Sequence, residues 1–131
     1  MLVLFKGLLG EATPNAISAT RFVQDGEILL EDFEVIATPG HTPGHVSYYY
    51  CPEKALFAGD ALAVVAGKVH FMARPVTENL ELARASMLRC LSREIALICP
   101  GHREPLTQNV ERECREMAQY IEHGGRWPLL G

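Results

Sequence analysis

Apolar residues in the first half of the chain come in short runs broken by glycine, proline or paired charges, and this spacing predicts strands. Phe33-Glu34-Val35-Ile36-Ala37 reads as one strand. His45 to Cys51 reads as another, with Val46, Tyr48 and Tyr50 alternating against Ser47, Tyr49 and Cys51. Ala55 to Ala58 is wholly apolar and is predicted to be a central strand. Upstream, Ile17 to Gln24 predicts a strand, Asp25-Gly26 a hairpin turn, Glu27 to Leu30 the returning strand and Glu31-Asp32 a second turn, which together make a meander. Ala61 to Ala66 is apolar, and Gly67-Lys68 turns the chain toward Val69-His70-Phe71.

The period then changes. Leu80, Ala83, Met87, Leu88 and Leu91 form one stripe, which predicts a helix over Thr77 to Leu91. Thr77 is the expected N-cap, Glu78 and Glu81 lie near the positive end of the dipole, and Arg84, Ser86 and Arg89 fall outside the stripe. Ile95 to Cys99 predicts a buried strand. Thr107 to His123 predicts a second helix with Val110, Cys114, Met117, Ala118 and Ile121 on its apolar face. Gly124-Gly125 ends it, His123 suits the negative end of its dipole, and Trp127 is expected to pack back on it. Leu2, Leu4, Phe5, Leu8 and Leu9 suggest one face of a short helix limited by Gly7, Gly10 and Pro14, the remnant of a helix from a larger fold.

The predicted class is α/β (α+β): one mostly antiparallel sheet with helices on one face, in a single domain over residues 1–131. A chain of 131 residues, 48% apolar, can bury a modest core. A net charge of −4 without any Lys/Arg block argues against a nucleic-acid partner. No apolar run approaches the roughly 20 residues of a membrane span. The apolar N-terminus lacks a basic region ahead of it, so no signal peptide and a cytoplasmic location are expected. Cys51, Cys90, Cys99 and Cys114 show no C-x-x-C spacing and read as buried, reduced thiols.

Chemistry concentrates in Thr38-Pro39-Gly40-His41-Thr42-Pro43-Gly44-His45. Proline and glycine at those positions exclude helix and give a shaped loop between two strands. Imidazoles held at strand ends suit a metal site. Ala55-Leu56-Phe57-Ala58-Gly59-Asp60 ends in a carboxylate, and Glu94-Ile95-Ala96-Leu97-Ile98-Cys99-Pro100-Gly101-His102 ends in another imidazole. His41, Asp60 and His102 thus sit at the ends of separate apolar runs, and zinc accepts both imidazole nitrogen and carboxylate oxygen.

These motifs together resemble the C-terminal half of the metallo-β-lactamase-fold hydrolases, with the glyoxalase II-like branch as the nearest pattern. The resemblance runs from about Ile28 to about Pro105. It implies that His41 is a ligand of a first metal, that Asp60 bridges two metals and carries the catalytic assignment, and that His102 is a ligand of the second metal. His45 would support the site without touching metal. The cofactor implied is zinc, or another divalent metal such as iron or manganese. The activity implied is hydrolysis of a small-molecule thioester or ester by metal-bound hydroxide. The family's N-terminal His-x-His-x-Asp-His run has no counterpart here, and no histidine precedes position 41. The chain therefore reads as half of an αββα sandwich, with the N-terminal half absent.

An isolated half would expose the apolar inner face of its sheet. A homodimer, or pairing with a complementary N-terminal half, is expected. The alternative is a truncated, inactive half-domain, structural and oligomeric, with vestigial ligands. His70 has no partner motif and is a weak substrate-binding candidate.

Overall fold

A computed structural model describes residues 21–128. The expected N-terminal helix, and the expected strand before residue 21, lie outside the described residues. Residues 21–24 carry no strand. The elements are β1 (Ile28–Leu29), β2 (Phe33–Ala37), β3 (Val46–Tyr50), β4 (Ala55–Gly59), β5 (Ala63–Val65), β6 (Lys68–His70), α1 (Leu80–Leu91), β7 (Leu97–Pro100) and α2 (Val110–Glu122).

Five strands form one sheet in the order β1-β2-β3-β4-β7. The first four run antiparallel, and β7 joins β4 in parallel. β4 is flanked on both sides, as its apolar run requires. β1 is shorter than its sequence suggests because Leu30 and Glu31 both take left-handed backbone, at φ 49° and 71°, and turn the chain into β2. The Asp25-Gly26 turn forms, and the Gly26 N–H donates to the Val35 carbonyl at 2.8 Å. β5 and β6 pair as a separate hairpin through Ala66-Gly67, where φ of 51° and 73° matches the two-residue turns that follow strand twist.

α1 begins later than its stripe predicts. A 3₁₀ turn over Arg74–Val76 comes first, and the Thr77 hydroxyl donates back to the Ala73 carbonyl at 3.0 Å. Asn79 is the N-cap, accepting from the Leu82 N–H at 3.0 Å. Glu78 thus precedes the helix, and Glu81 alone supplies an acid to its first turn. Ser86 also departs from expectation: it is buried on the inner face of α1, and its hydroxyl donates to the Pro39 carbonyl at 2.7 Å.

The core lies between the helices and one sheet face. Ile36, Leu56, Ala58 and Ile98 meet Met87, Cys90 and Leu91 of α1 and Cys114, Met117 and Ile121 of α2. Two ion pairs tie α1 and its exit to the sheet side, Arg89 to Asp25 and Arg93 to Glu34. Trp127 packs back as expected, but onto Phe71, with ring centroids 4.2 Å apart, and its indole N–H donates to the Met72 carbonyl. The four cysteines are unpaired; Cys51, expected to be buried, is exposed in the turn after β3.

The opposite sheet face carries Leu29, Phe33, Tyr48, Tyr50 and Phe57, as the cross-strand pairs Leu29–Phe33, Phe33–Tyr50 and Tyr48–Phe57 require. The rings of Phe33 and Tyr50 lie 4.8 Å apart, and Phe57 remains 42% exposed. Val35, on the same face, is fully buried.

Candidate metal centre

The loop from Thr38 to His45 leaves β2 and returns into β3. It closes on itself through the Thr38 N–H to the His45 carbonyl at 2.9 Å and the Gly40 N–H to the Thr42 carbonyl at 3.1 Å. The start of α1 grips it from outside: the Asn79 N–H donates to the Gly40 carbonyl at 2.9 Å, and Ser86 holds Pro39. Gly40 packs so closely on α1 that a Cβ there would lie 2.4 Å from the Ala83 backbone.

β4 and β7 end at the same edge because they are parallel. Asp60 follows β4, and His102 stands two residues past β7. The Gly101 N–H donates to the Gly59 carbonyl at 2.8 Å and locks the two ends together. The chain passes so near Asp60 that a Cβ at Gly101 would lie 2.7 Å from Asp60 Oδ1.

The structure brings His41, Asp60 and His102 together. Asp60 Oδ2 faces His41 Nε2 at 3.4 Å, and Oδ1 faces His102 Nε2 at 3.3 Å. The His41 and Asp60 side chains are 19% and 26% exposed, and that of His102 is 71% exposed. Two donors that share a tetrahedral ion at about 2.0–2.2 Å each lie roughly 3.4 Å apart. Asp60 Oδ1 is moreover buried without a hydrogen-bond partner, which is costly unless a further group satisfies it. The donor set fits a divalent cation on each side of Asp60. Among the described residues no three His, Cys, Asp or Glu side chains form a complete cage, so each position has one histidine and a share of one carboxylate.

His45 lies behind these groups. Its Nε2 accepts from the Asp60 backbone N–H at 2.9 Å, and its Nδ1–H therefore donates to Thr38 Oγ1 at 2.7 Å. The Thr38 hydroxyl in turn donates to Ser47 Oγ at 3.0 Å, and Ser47 donates to the Ala58 carbonyl at 2.9 Å. The run starts at Asp60 and returns to β4 two residues earlier, with every member satisfied. Burial holds the His45 imidazole below its ordinary pKa against the opposing pull of Asp60, so it stays neutral and keeps its acceptor nitrogen.

Thr38 and Ser47 do not stand out in the sequence as site residues. Both are buried polar residues, at 1% and 0% exposure, and Ser47 occupies an inward position of an otherwise apolar strand, which is the signal that points to it. His70 ends β6 and shares a cavity with His102 and Arg103, beside the site rather than within it. His123 closes α2, with its Nδ1 2.7 Å from the Gln119 carbonyl, and has a structural role.

The family model of the metallo-beta-lactamase superfamily matches residues 9–102, and the chain belongs to that superfamily. It is 30% identical over 136 residues to the "Probable metallo-hydrolase YflN" of Bacillus subtilis, covering 88% of this chain and 52% of that protein. It is 40% identical over 85 residues to a hydroxyacylglutathione hydrolase of Brucella anthropi, covering 63% of this chain and 31% of that one. A structure solved in a di-iron-bound form superposes with a TM-score of 0.57 at 30% identity, covering 77% of this chain and 50% of the other. A metallo-beta-lactamase family protein from Thermus thermophilus gives 0.54 at 27% identity, covering 77% and 35%. The chain thus spans about half, or less, of the length of these relatives.

Proposed function

We propose that the chain supplies half of a metal-dependent hydrolase that cleaves a small-molecule thioester or ester, in the manner of the hydroxyacylglutathione hydrolases. His41 and His102 are its metal ligands, and Asp60 is shared between two metal positions. The observation that supports this is the aim of Asp60, which turns one carboxylate oxygen to each histidine. Zinc suits the nitrogen and oxygen donors; iron or manganese is the substitute, and iron is what a relative holds. When bound, such a metal acidifies water and polarises a carbonyl.

The residues of this chain contribute position. His45 fixes the Asp60 backbone and so limits where the carboxylate can swing. In the hydrolysis the acyl C–S or C–O bond breaks, the oxygen of water becomes a carboxylate oxygen, one of its protons leaves with the thiol or alcohol and the other passes to solvent. The remaining metal ligands come from a complementary N-terminal half or from a second copy in a homodimer. The apolar sheet face around Phe33, Tyr48 and Phe57 offers the packing surface for either.

The test is elemental analysis of protein dialysed against trace zinc, with His41→Ala alongside. Stoichiometric zinc that is lost in the variant, followed by thioester turnover, supports the reading. No metal in either protein overturns it. The incomplete cage favours a second reading in that case: a structural, oligomeric half-domain whose ligands are vestigial.

A further inference from the structure

A cavity of about 370 Å³ opens beside His102, within the size range of small-molecule sites. Its floor is apolar: Val64 and Phe71 line it and are buried, at 5% and 4% exposure, and Met72 adds a half-buried side chain. Its rim is polar, because His102 and Arg103 line it and are exposed. Arg103 stands at φ 68°, a left-handed conformation that a side-chain-bearing residue rarely adopts and that recurs at functional sites. Among the described residues Arg103 enters no ion pair.

We propose that this cavity is the acyl pocket: it takes the aliphatic chain of the substrate's acyl half, and of the carboxylic acid released from it, against Val64, Phe71 and Met72, with the carboxylate turned toward Arg103. The proposal rests on the hydrolase reading for its biology. Three features carry it. An apolar floor rejects a charged acyl group, because burying an unpaired charge is prohibitive. An unpaired guanidinium at the rim matches a carboxylate in charge and in fork geometry. The rim also contains a residue of the metal centre, so a chain seated in the cavity has its head group at the reacting edge. The class of substrate is then an aliphatic acyl thioester or ester.

Trp127, the only tryptophan, reports on the pocket because it stacks on Phe71. The experiment is a fluorescence titration of the full chain with acetate, butanoate, hexanoate and octanoate, and with hexanol as the uncharged control. The dissociation constant is expected to fall about fourfold per added methylene until the pocket is filled. Ala63→Phe, on the pocket wall, is expected to weaken hexanoate at least tenfold. Arg103→Ala is an exposed change and leaves the fold intact. It is expected to abolish the preference for hexanoate over hexanol and leave hexanol binding unchanged. Affinity independent of chain length overturns the pocket, and an unchanged hexanoate preference in Arg103→Ala overturns its carboxylate end. Binding needs no metal, so the two readings fail separately. A full chain-length series in a protein that binds no metal retires the hydrolase and keeps the pocket. Ester turnover without a chain-length series retires the pocket alone.

Discussion

The backbone N–H of Asp60 donates to Nε2 of His45 across 2.9 Å, so the histidine holds the chain at the carboxylate and leaves its two oxygens to face His41 and His102. Replacing His45 with alanine strands the Asp60 N–H and removes the donor to Thr38. We expect His45→Ala to lose about 1–3 kcal/mol of stability, read by urea unfolding. We also expect zinc affinity to fall roughly 10- to 100-fold, read by chelator competition. A variant with wild-type affinity would remove His45 from the support of the site.

Gly101 separates the two requirements differently. A Cβ there would sit 2.7 Å from Asp60 Oδ1 and 3.1 Å from the Gly59 carbonyl carbon. Gly101→Ala is expected to keep native far-ultraviolet circular dichroism and to lose most bound zinc. Metal content equal to wild type would show that Asp60 can move aside without consequence.

At Gly40 the obstacle is backbone. The φ of 143° and the 2.4 Å approach to Ala83 leave no room that a rotamer change could provide. Gly40→Ala should destabilise by about 1–3 kcal/mol, at the level of overpacking, and should loosen the whole histidine loop from α1. Thermal unfolding together with hydrogen exchange at the amide of Asn79, which bonds to the Gly40 carbonyl, checks both parts.

The Arg93 guanidinium holds the Glu34 carboxyl below its usual range through hydrogen bonds from Nε and Nη2. A carboxylate with a depressed folded pKa binds fewer protons folded than unfolded. Its contribution is therefore present above the unfolded pKa, near 4.5, and lost as pH falls through the lower folded value. Glu34→Gln is expected to reduce stability by up to about 1 kcal/mol at neutral pH and to flatten the decline below that range. An acid limb identical to wild type would show that the pair contributes nothing measurable.

The convergence of His41, Asp60 and His102 is legible in the sequence because each ends an apolar run, and strand ends that meet at one sheet edge bring such residues together. The hydrogen-bonded run through Thr38 and Ser47 is not, since its members are linked across strands and share no spacing along the chain. The start of α1 escapes the sequence for a related reason. Thr77 and Asn79 are both capping residues, and the choice falls to Asn79 because its N–H reaches the Gly40 carbonyl, a tertiary contact. Ser86 falls outside the apolar stripe on polarity alone, and its burial depends on Pro39 lying opposite. Arg103 carries no signal, because a left-handed arginine looks like any other in sequence.

The parallel pairing of β4 and β7 acts as a gauge. The register sets Phe57 against Cys99 and Gly59 against Pro100, with an irregularity between them. Each residue of a strand advances about 3.3 Å, close to the separation of Asp60 from His102. A slip of one residue between these strands would therefore carry the imidazole a whole ligand spacing away and turn Ile98 out of the core. Insertions within either strand are closed to this chain for that reason, and variation is left to the connections between them.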